Sequence, residues 1–261
     1  MAFLLFLAAF AWAAPEPAAV TRLEAKLSAS ATARRLFLAA AEAPRREAHA
    51  SGLPCAVDER GGEKPEIVVD LERLPDLPPG EAEAEYARAL SRAAIAAPIP
   101  LVEAEQSDRL WTALILAELS LEDPALARAL RAAELQPAAG GPVLSRAAAF
   151  LRLFERDPEG AYWSVESGAG LPREAARLTD LEDLFALRAA DIRALTAPPD
   201  GPYGVLGGRR YPAALVRAAF RLRAPGALAR AREALGAYDV VGAAALRDTI
   251  VRLRRAPPEK R

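Results

Sequence analysis

The chain has 261 residues, 52% of them hydrophobic and 26% charged, with 34 Lys plus Arg against 35 Asp plus Glu for a formal net charge of -1. That balance excludes a disordered chain, whose low hydrophobicity and high net charge prevent a core from forming. The single cysteine, Cys55, excludes a disulfide scaffold, and no apolar run approaches the ~20 residues that each helix of a multi-span membrane protein needs.

The first segment reads as an address. Phe3 to Ala11 is an apolar block, Ala11-Trp12-Ala13 places small residues where a signal peptidase reads, and Pro15, Glu16 and Pro17 stop a helix. The spacing predicts a secretory signal cleaved after Ala13, although no Lys or Arg precedes the block; the alternative is a terminal core helix. No cysteine sits at the cleavage point, so nothing points to a lipid anchor. A periplasmic or secreted bacterial protein is expected, with no membrane span left after cleavage.

Helical periodicity then dominates. Val20 to Ala43 reads as helix, with Ser28 and Ser30 placed to interrupt it and cap a second helix from about Ala31. Pro44 marks a break or a new first turn. Gly52 to Pro79 contains Leu53 to Val57, a charged Gly-Gly turn and the β-branched triplet Ile67-Val68-Val69, which predict two short strands or a β-hairpin near residues 53–71. Glu81 to Ala97 is helical, with Tyr86, Leu90 and Ala94 on one stripe. Asp108 to Leu121 is apolar nearly all round and belongs at the centre of a core. Asp123-Pro124 and Asp157-Pro158 each combine an N-cap acid with proline at the first helical position. Further helices are expected from Pro142 to Glu155 and, on the capping-box spacing of Thr179 and Glu182, from there to about Leu195. Ala197 to Gly208 reads as a Pro/Gly loop. Three final helices follow, over Tyr211–Arg223, Pro225–Leu235 and Tyr238–Arg255. No repeat of constant period is present, so a solenoid is not expected.

The expected fold is mainly α: a compact multi-helix domain with one small β element. Its organisation is a signal peptide over 1–13, a helical domain over 14–196, and a C-terminal three-helix segment over 209–261 packed on the first.

Charge is uneven. Residues 201–261 carry 13 basic and 4 acidic side chains, residues 1–200 carry 21 and 31. Either the basic segment meets an anionic partner such as phospholipid or cell-wall polymer, or the two parts neutralise each other. Nucleic acid is not expected as a partner, since export separates the two and few aromatics interleave the arginines.

Chemistry-bearing residues are sparse. His49 is the only histidine, and any Ser-His-Asp or Cys-His site has to use it; Cys55 lies six residues on, and no glycine elbow accompanies either. The bland reading places His49 at a helix end. One His and one Cys cannot build an ordinary zinc site, and no metal or cofactor is expected. Gly207-Gly208-Arg209-Arg210 ahead of a helix resembles an anion cradle without the Gly-Lys-Ser/Thr ending of a P-loop; the alternative is a plain connector.

Glu118 is the most informative acid. It shares a helical face with Trp111, Leu114 and Ile115, and Glu122 follows one turn later. A carboxylate there has to be paired, protonated or used, and an arginine from the basic C-terminal helices is the expected partner. A strand followed by an apolar helix ending Leu-x-Ala-Glu-Leu resembles the core of zincin-type metallopeptidases, whose helix carries His-Glu-x-x-His. Over residues 66–122 the resemblance places Glu118 at the general base and leaves Ala117 and Leu121 at the ligand positions, which implies a degenerate, metal-free relative.

Two classes of function compete. One is a non-catalytic, exported binding or scaffold protein with an envelope protein or polymer as partner. The other is a carboxylate-only hydrolase using Glu118 with Glu122 or Glu103, with Trp111, Tyr162, Trp163 and Tyr203 as the available sugar-stacking aromatics. Binding of an anionic surface by the arginine-rich C-terminal helices is a third reading.

Overall fold

The computed structural model describes residues 19–41, 43, 45–48, 53–58, 66–94, 101–163, 177–238 and 242–255. The expected signal segment and His49 lie outside them.

The protein is mainly helical, as the periodicity predicts. Helices α1 (Ala19–Leu27) and α2 (Ala31–Ala39) are separated at Ser30, whose hydroxyl accepts the Ala33 N–H at 2.9 Å as the N-cap of α2. Strands β1 (Arg45–Ala48), β2 (Cys55–Asp58) and β3 (Glu66–Asp70) follow. β2 and β3 form the expected antiparallel pair, with Cys55 opposite Val69 and Asp58 opposite Glu66. The strand β1 was not expected after Pro44. It pairs in parallel with β3, so the sheet is three-stranded and mixed, in the order β1-β3-β2. The central strand β3 is the β-branched one, buried from Ile67 to Asp70; β1, the sequence Arg-Arg-Glu-Ala, has no strand pattern of its own and depends on that neighbour.

The helical body is α3 (Glu81–Ala94), α4 (Leu101–Ser120), α5 (Pro124–Leu135) and α6 (Pro142–Arg156). On α4, Leu110 and Ala113 through Ala117 are buried, which places this helix at the centre of the core. The core is continuous, running from Val20 and Leu27 of α1 through Tyr86, Leu90, Leu144 and Phe150 to Leu246 and Ile250 near the C-terminus. Tyr86 is fully buried, its hydroxyl donates to Glu24 at 2.6 Å, and Arg45 holds the same carboxylate at 3.0 Å, so the buried phenol is satisfied.

A short α7 (Pro158–Trp163) leads to the described part of the C-terminal half: α8 (Leu178–Ala194), α9 (Ala213–Arg221), α10 (Ala227–Tyr238) and α11 (Ala244–Arg255). α11 packs on α4 and α6. Its Arg254 reaches Glu134 of α5 at 2.6 Å and Glu155 of α6 at 2.9 Å, and Arg232 of α10 lies 3.4 Å from Glu182 of α8. Part of the charge asymmetry is therefore neutralised within the fold.

Residues 197–208 are not simply a loop. Tyr203–Leu206 (β4) and Arg209–Pro212 (β5) form an antiparallel hairpin. Gly207 and Gly208 are its two-residue turn, at φ +53° and +76°. Two successive positive φ values define the turn whose twist matches the flanking strands, and glycine adopts them at least cost.

Candidate functional site

An α-helix begins with N–H groups that have no partner within the helix, and its N-terminus carries a partial positive charge. Three glutamates from neighbouring elements meet three such ends. These contacts decide what the acids of this chain are for.

Glu118, near the C-terminal end of α4, meets the N-terminus of α2. Its Oε2 accepts the Ser30 hydroxyl at 2.6 Å and the Thr32 N–H at 2.9 Å, and its Oε1 accepts the Thr32 hydroxyl at 2.8 Å. Ser30 thus donates to Glu118 while accepting from Ala33. The expectation of an arginine partner is corrected: among the described residues the carboxylate is held by two hydroxyls and a backbone N–H. Glu118 meets the N-terminus of α2, where an unpaired helix end supplies the positive potential, whereas Trp111, two turns earlier on the same face, lies beside Gly242 ahead of α11.

Glu81, the first residue of α3, meets the N-terminus of α6. Its two oxygens accept the Val143 and Leu144 N–H groups, each at 2.8 Å, and the residue is fully buried. Burial raises its carboxyl above the ordinary value of 4.5; the two N–H bonds oppose that, and Glu85 adds to it. Residue 141, the N-cap of α6, is glycine and offers no capping side chain. A Cβ there would lie 2.1 Å from the Glu81 Cδ, so the missing side chain makes room for the carboxylate from α3.

Glu159 of α7 does the same for α8, accepting the Leu178 N–H at 2.7 Å. The residue at the N-cap of α8 is Arg177, which makes no side-chain cap bond. The expected Thr179–Glu182 capping box is therefore not the start of this helix. The Asp-Pro starts behave as read: Asp123 accepts from Ala125 and Leu126, and Asp157 from Gly160.

Glu122 is exposed in the turn after α4. The side chains of Glu103, Tyr162 and Trp163 lie outside the described residues, as does His49. Ala117 is buried, Leu121 half-buried, and α3 stands in sequence between β3 and the Glu118 helix. Among the described residues no group of three or more His, Cys, Asp and Glu side chains is placed to hold a metal ion. Cys55 is fully buried on β2; burial pushes its thiol up to about 12, with Glu85 adding and Arg88 opposing, so it is not an accessible nucleophile.

The hairpin arranges the remaining candidates. Gly207 and Gly208 do not open a helix as an anion cradle requires: β5 intervenes, and α9 begins only after Pro212. Opposite residues of an antiparallel pair share a face. Gly204 opposite Tyr211 and Leu206 opposite Arg209 define the inner face, where Gly204 and Leu206 are buried against the body. A Cβ on Gly204 would lie 2.8 Å from a methyl of Val216 on α9, so this strand sits closer to the helix than any larger residue permits. Tyr203 opposite Pro212 and Val205 opposite Arg210 define the outer face. Tyr203 is 59% exposed, Val205 61%, and Arg209 and Arg210 are both exposed. Among the described residues neither arginine pairs with a carboxylate. α8 departs from helical geometry at Arg188, whose guanidinium reaches the Tyr211 hydroxyl at 3.4 Å and Asp191 at 3.5 Å.

Comparisons of the chain with protein-family models, with curated proteins and with solved structures found no match.

Proposed function

We propose that this chain is an exported, non-catalytic binding or scaffold protein of the bacterial cell envelope, with the β4–β5 hairpin as its working surface. The observation that carries the reading is the placement of its carboxylates. Glu118, the one acid that both the hydrolase and the zincin-type readings need, is committed through both oxygens to the N-terminus of α2. A general base has to be within hydrogen-bond reach of a substrate proton. The exposed apolar and basic groups of the hairpin have no such internal role. Envelope proteins and polymers are the partner classes that export supplies, and no helix among the described residues is long and apolar enough to cross a membrane.

Export is tested by sequencing the N-terminus of the protein recovered from its native host. Ala14 as first residue is expected; an intact Met1 in a cytoplasmic fraction overturns the location. The absence of catalysis is tested by screening polysaccharide and peptide hydrolysis with the wild type and Glu118→Gln. Turnover that Glu118→Gln abolishes while the melting curve is retained overturns the reading in favour of the carboxylate-only hydrolase.

A further inference from the structure

We infer that the outer face of the β4–β5 hairpin docks the protein on an anionic lipid surface, a reading that rests on the binding function proposed above and names its partner. Four side chains form the face in two cross-strand pairs, Tyr203 with Pro212 and Val205 with Arg210; Arg209, paired with Leu206 at the edge of the other face, stands exposed beside the turn and adds its charge there. This is the side-chain set of a membrane interface. Tyrosine places an apolar ring below the headgroups and its hydroxyl among them, valine enters the acyl boundary, and arginine keeps its guanidinium at the phosphates while its stem stays apolar.

The charge around the hairpin fits that partner. Residues 201–232 contain seven arginines and no Asp or Glu. Asp200 precedes them in the segment leading to the hairpin, and Asp191 of α8 lies beside the turn, 2.7 Å from where a Cβ on Gly207 would stand, paired with Arg188 at 3.5 Å. Arg188, Arg209 and Arg210 outnumber Asp191 at the turn, so an anionic surface meets net attraction here, whereas Glu118, Glu81 and Glu134 of the body are turned into helix caps and ion pairs. Size separates lipid from a protein partner. A stable protein–protein interface covers about 800 Å² on each side, far more than two cross-strand pairs present. A lipid surface needs only a few interfacial side chains beside cations.

The hairpin is also a firm platform. The Ala213 N–H closes its base on the Pro202 carbonyl at 3.1 Å, and Arg217 ties the approaching segment by donating to the Pro199 carbonyl at 3.2 Å. Its side chains are thus held in place before any surface is met, which lowers the ordering cost of docking.

The test is co-sedimentation of the full chain with vesicles of phosphatidylcholine alone and of an equal mixture with phosphatidylglycerol. Tighter binding to the mixed vesicles is expected, weakening as salt is raised because exposed charges are screened. Combined Arg209→Glu and Arg210→Glu should lower the preference for mixed vesicles about tenfold or more, given about 1 kcal/mol for each basic residue at such a surface. Combined Tyr203→Ser and Val205→Ser should weaken binding to the mixed vesicles at high salt, where charge contributes least. Arg247→Glu with Arg255→Glu, on exposed positions of α11, is the control and should retain the preference. All these positions are exposed, so superimposable melting curves are expected for the variants. No preference for the mixed vesicles overturns the proposal. So does a preference that survives the Arg209 and Arg210 change, one lost equally in the α11 control, or one abolished by competing inorganic phosphate. If the hairpin variants lose an envelope protein while vesicle binding is unchanged, the lipid proposal falls and the binding function stands. Turnover dependent on Glu118 would instead remove the binding function itself.

Discussion

The helical body and the hairpin unit treat polar groups in opposite ways. In α1–α6 the acids are largely engaged inside the fold. Glu118 and Glu81 cap helices of other segments, Glu24 holds Tyr86 and Arg45, and Lys26 of α1 joins Glu83 of α3 to Asp123 ahead of α5. In the unit of α8, β4–β5 and α9, close glycine contacts hold the backbone, and the side chains of the outer face remain in solvent. This contrast separates residues that hold the fold from residues free to meet a partner. A carboxylate buried at a helix end looks catalytic in a sequence and is structural in the fold, while a Gly-rich stretch that reads as a connector presents the exposed chemistry.

The largest effect bearing on this contrast is expected at Glu81. Glu81→Ala leaves two buried N–H groups without acceptors, and at about 1–3 kcal/mol each the loss should be about 3 kcal/mol, a fall in Tm of roughly 6–12 °C. Gly141→Asp is the complementary change. Alone it should destabilise, because its Cβ would meet the Glu81 carboxyl; combined with Glu81→Ala it should recover about 1 kcal/mol by capping α6 from its own chain. Additive effects in thermal melts of the four proteins would show that Glu81 and residue 141 do not share one site.

Glu118→Ala should cost about 2 kcal/mol, since a charge-assisted cap is lost but the site is only half-buried and the remaining N–H can find water. Glu118→Gln keeps one acceptor for Thr32 and should cost about 1 kcal/mol. A loss of about 3–5 kcal/mol for the glutamine, the range for one broken side of a buried ion pair, would restore the arginine-partner expectation.

Gly204→Ala forces a methyl against the β-branched Val216, whose rotamer on a helix is nearly fixed. About 1–2 kcal/mol of overpacking is expected. Hydrogen exchange should show lost protection in β4 and β5, with α3–α6 unchanged. Equal loss in both regions would show that the hairpin and the body open as one unit.

The smallest effects are in pH, and they have opposite signs. Glu81 sits above its ordinary value, so the native state takes up its proton first and this site adds stability as pH falls from its raised value toward 4.5. The stability gap between wild type and Glu81→Gln should therefore widen over that window. Asp123 is held below 3.8, first by the Leu126 N–H and then by Lys26. Its contribution is present above 3.8 and disappears as pH falls through its lowered value, so the gap to Asp123→Asn should stay level and then close. Denaturant titrations at stepped pH separate the two; gaps moving in the same direction would contradict the assigned environments.

Local signals carried most of the fold. The mainly helical character, the Ser30 start of α2, the Asp-Pro starts, the central position of α4 and the β2–β3 pair all follow from side chains acting on backbone within a few residues. Three tertiary decisions were not written locally. β1 has no strand pattern and forms because β3 offers it a parallel edge. The Gly207-Gly208 turn is a hairpin because β4 is flat enough, through Gly204, to lie on α9. The starts of α6 and α8 have Gly141 and Arg177 where a capping side chain belongs, and their acceptors come from Glu81 and Glu159, 62 and 19 residues away from the N–H they accept. The sequence alone names no capping side chain for α6, and for α8 its Thr179–Glu182 spacing points to a different start. Which carboxylate caps each end depends on how the helices pack, because a hydrogen bond is set by distances between atoms and not by their separation along the chain. The identity of Glu118 was legible in the sequence; its role was decided only when α4 was laid against the N-terminus of α2.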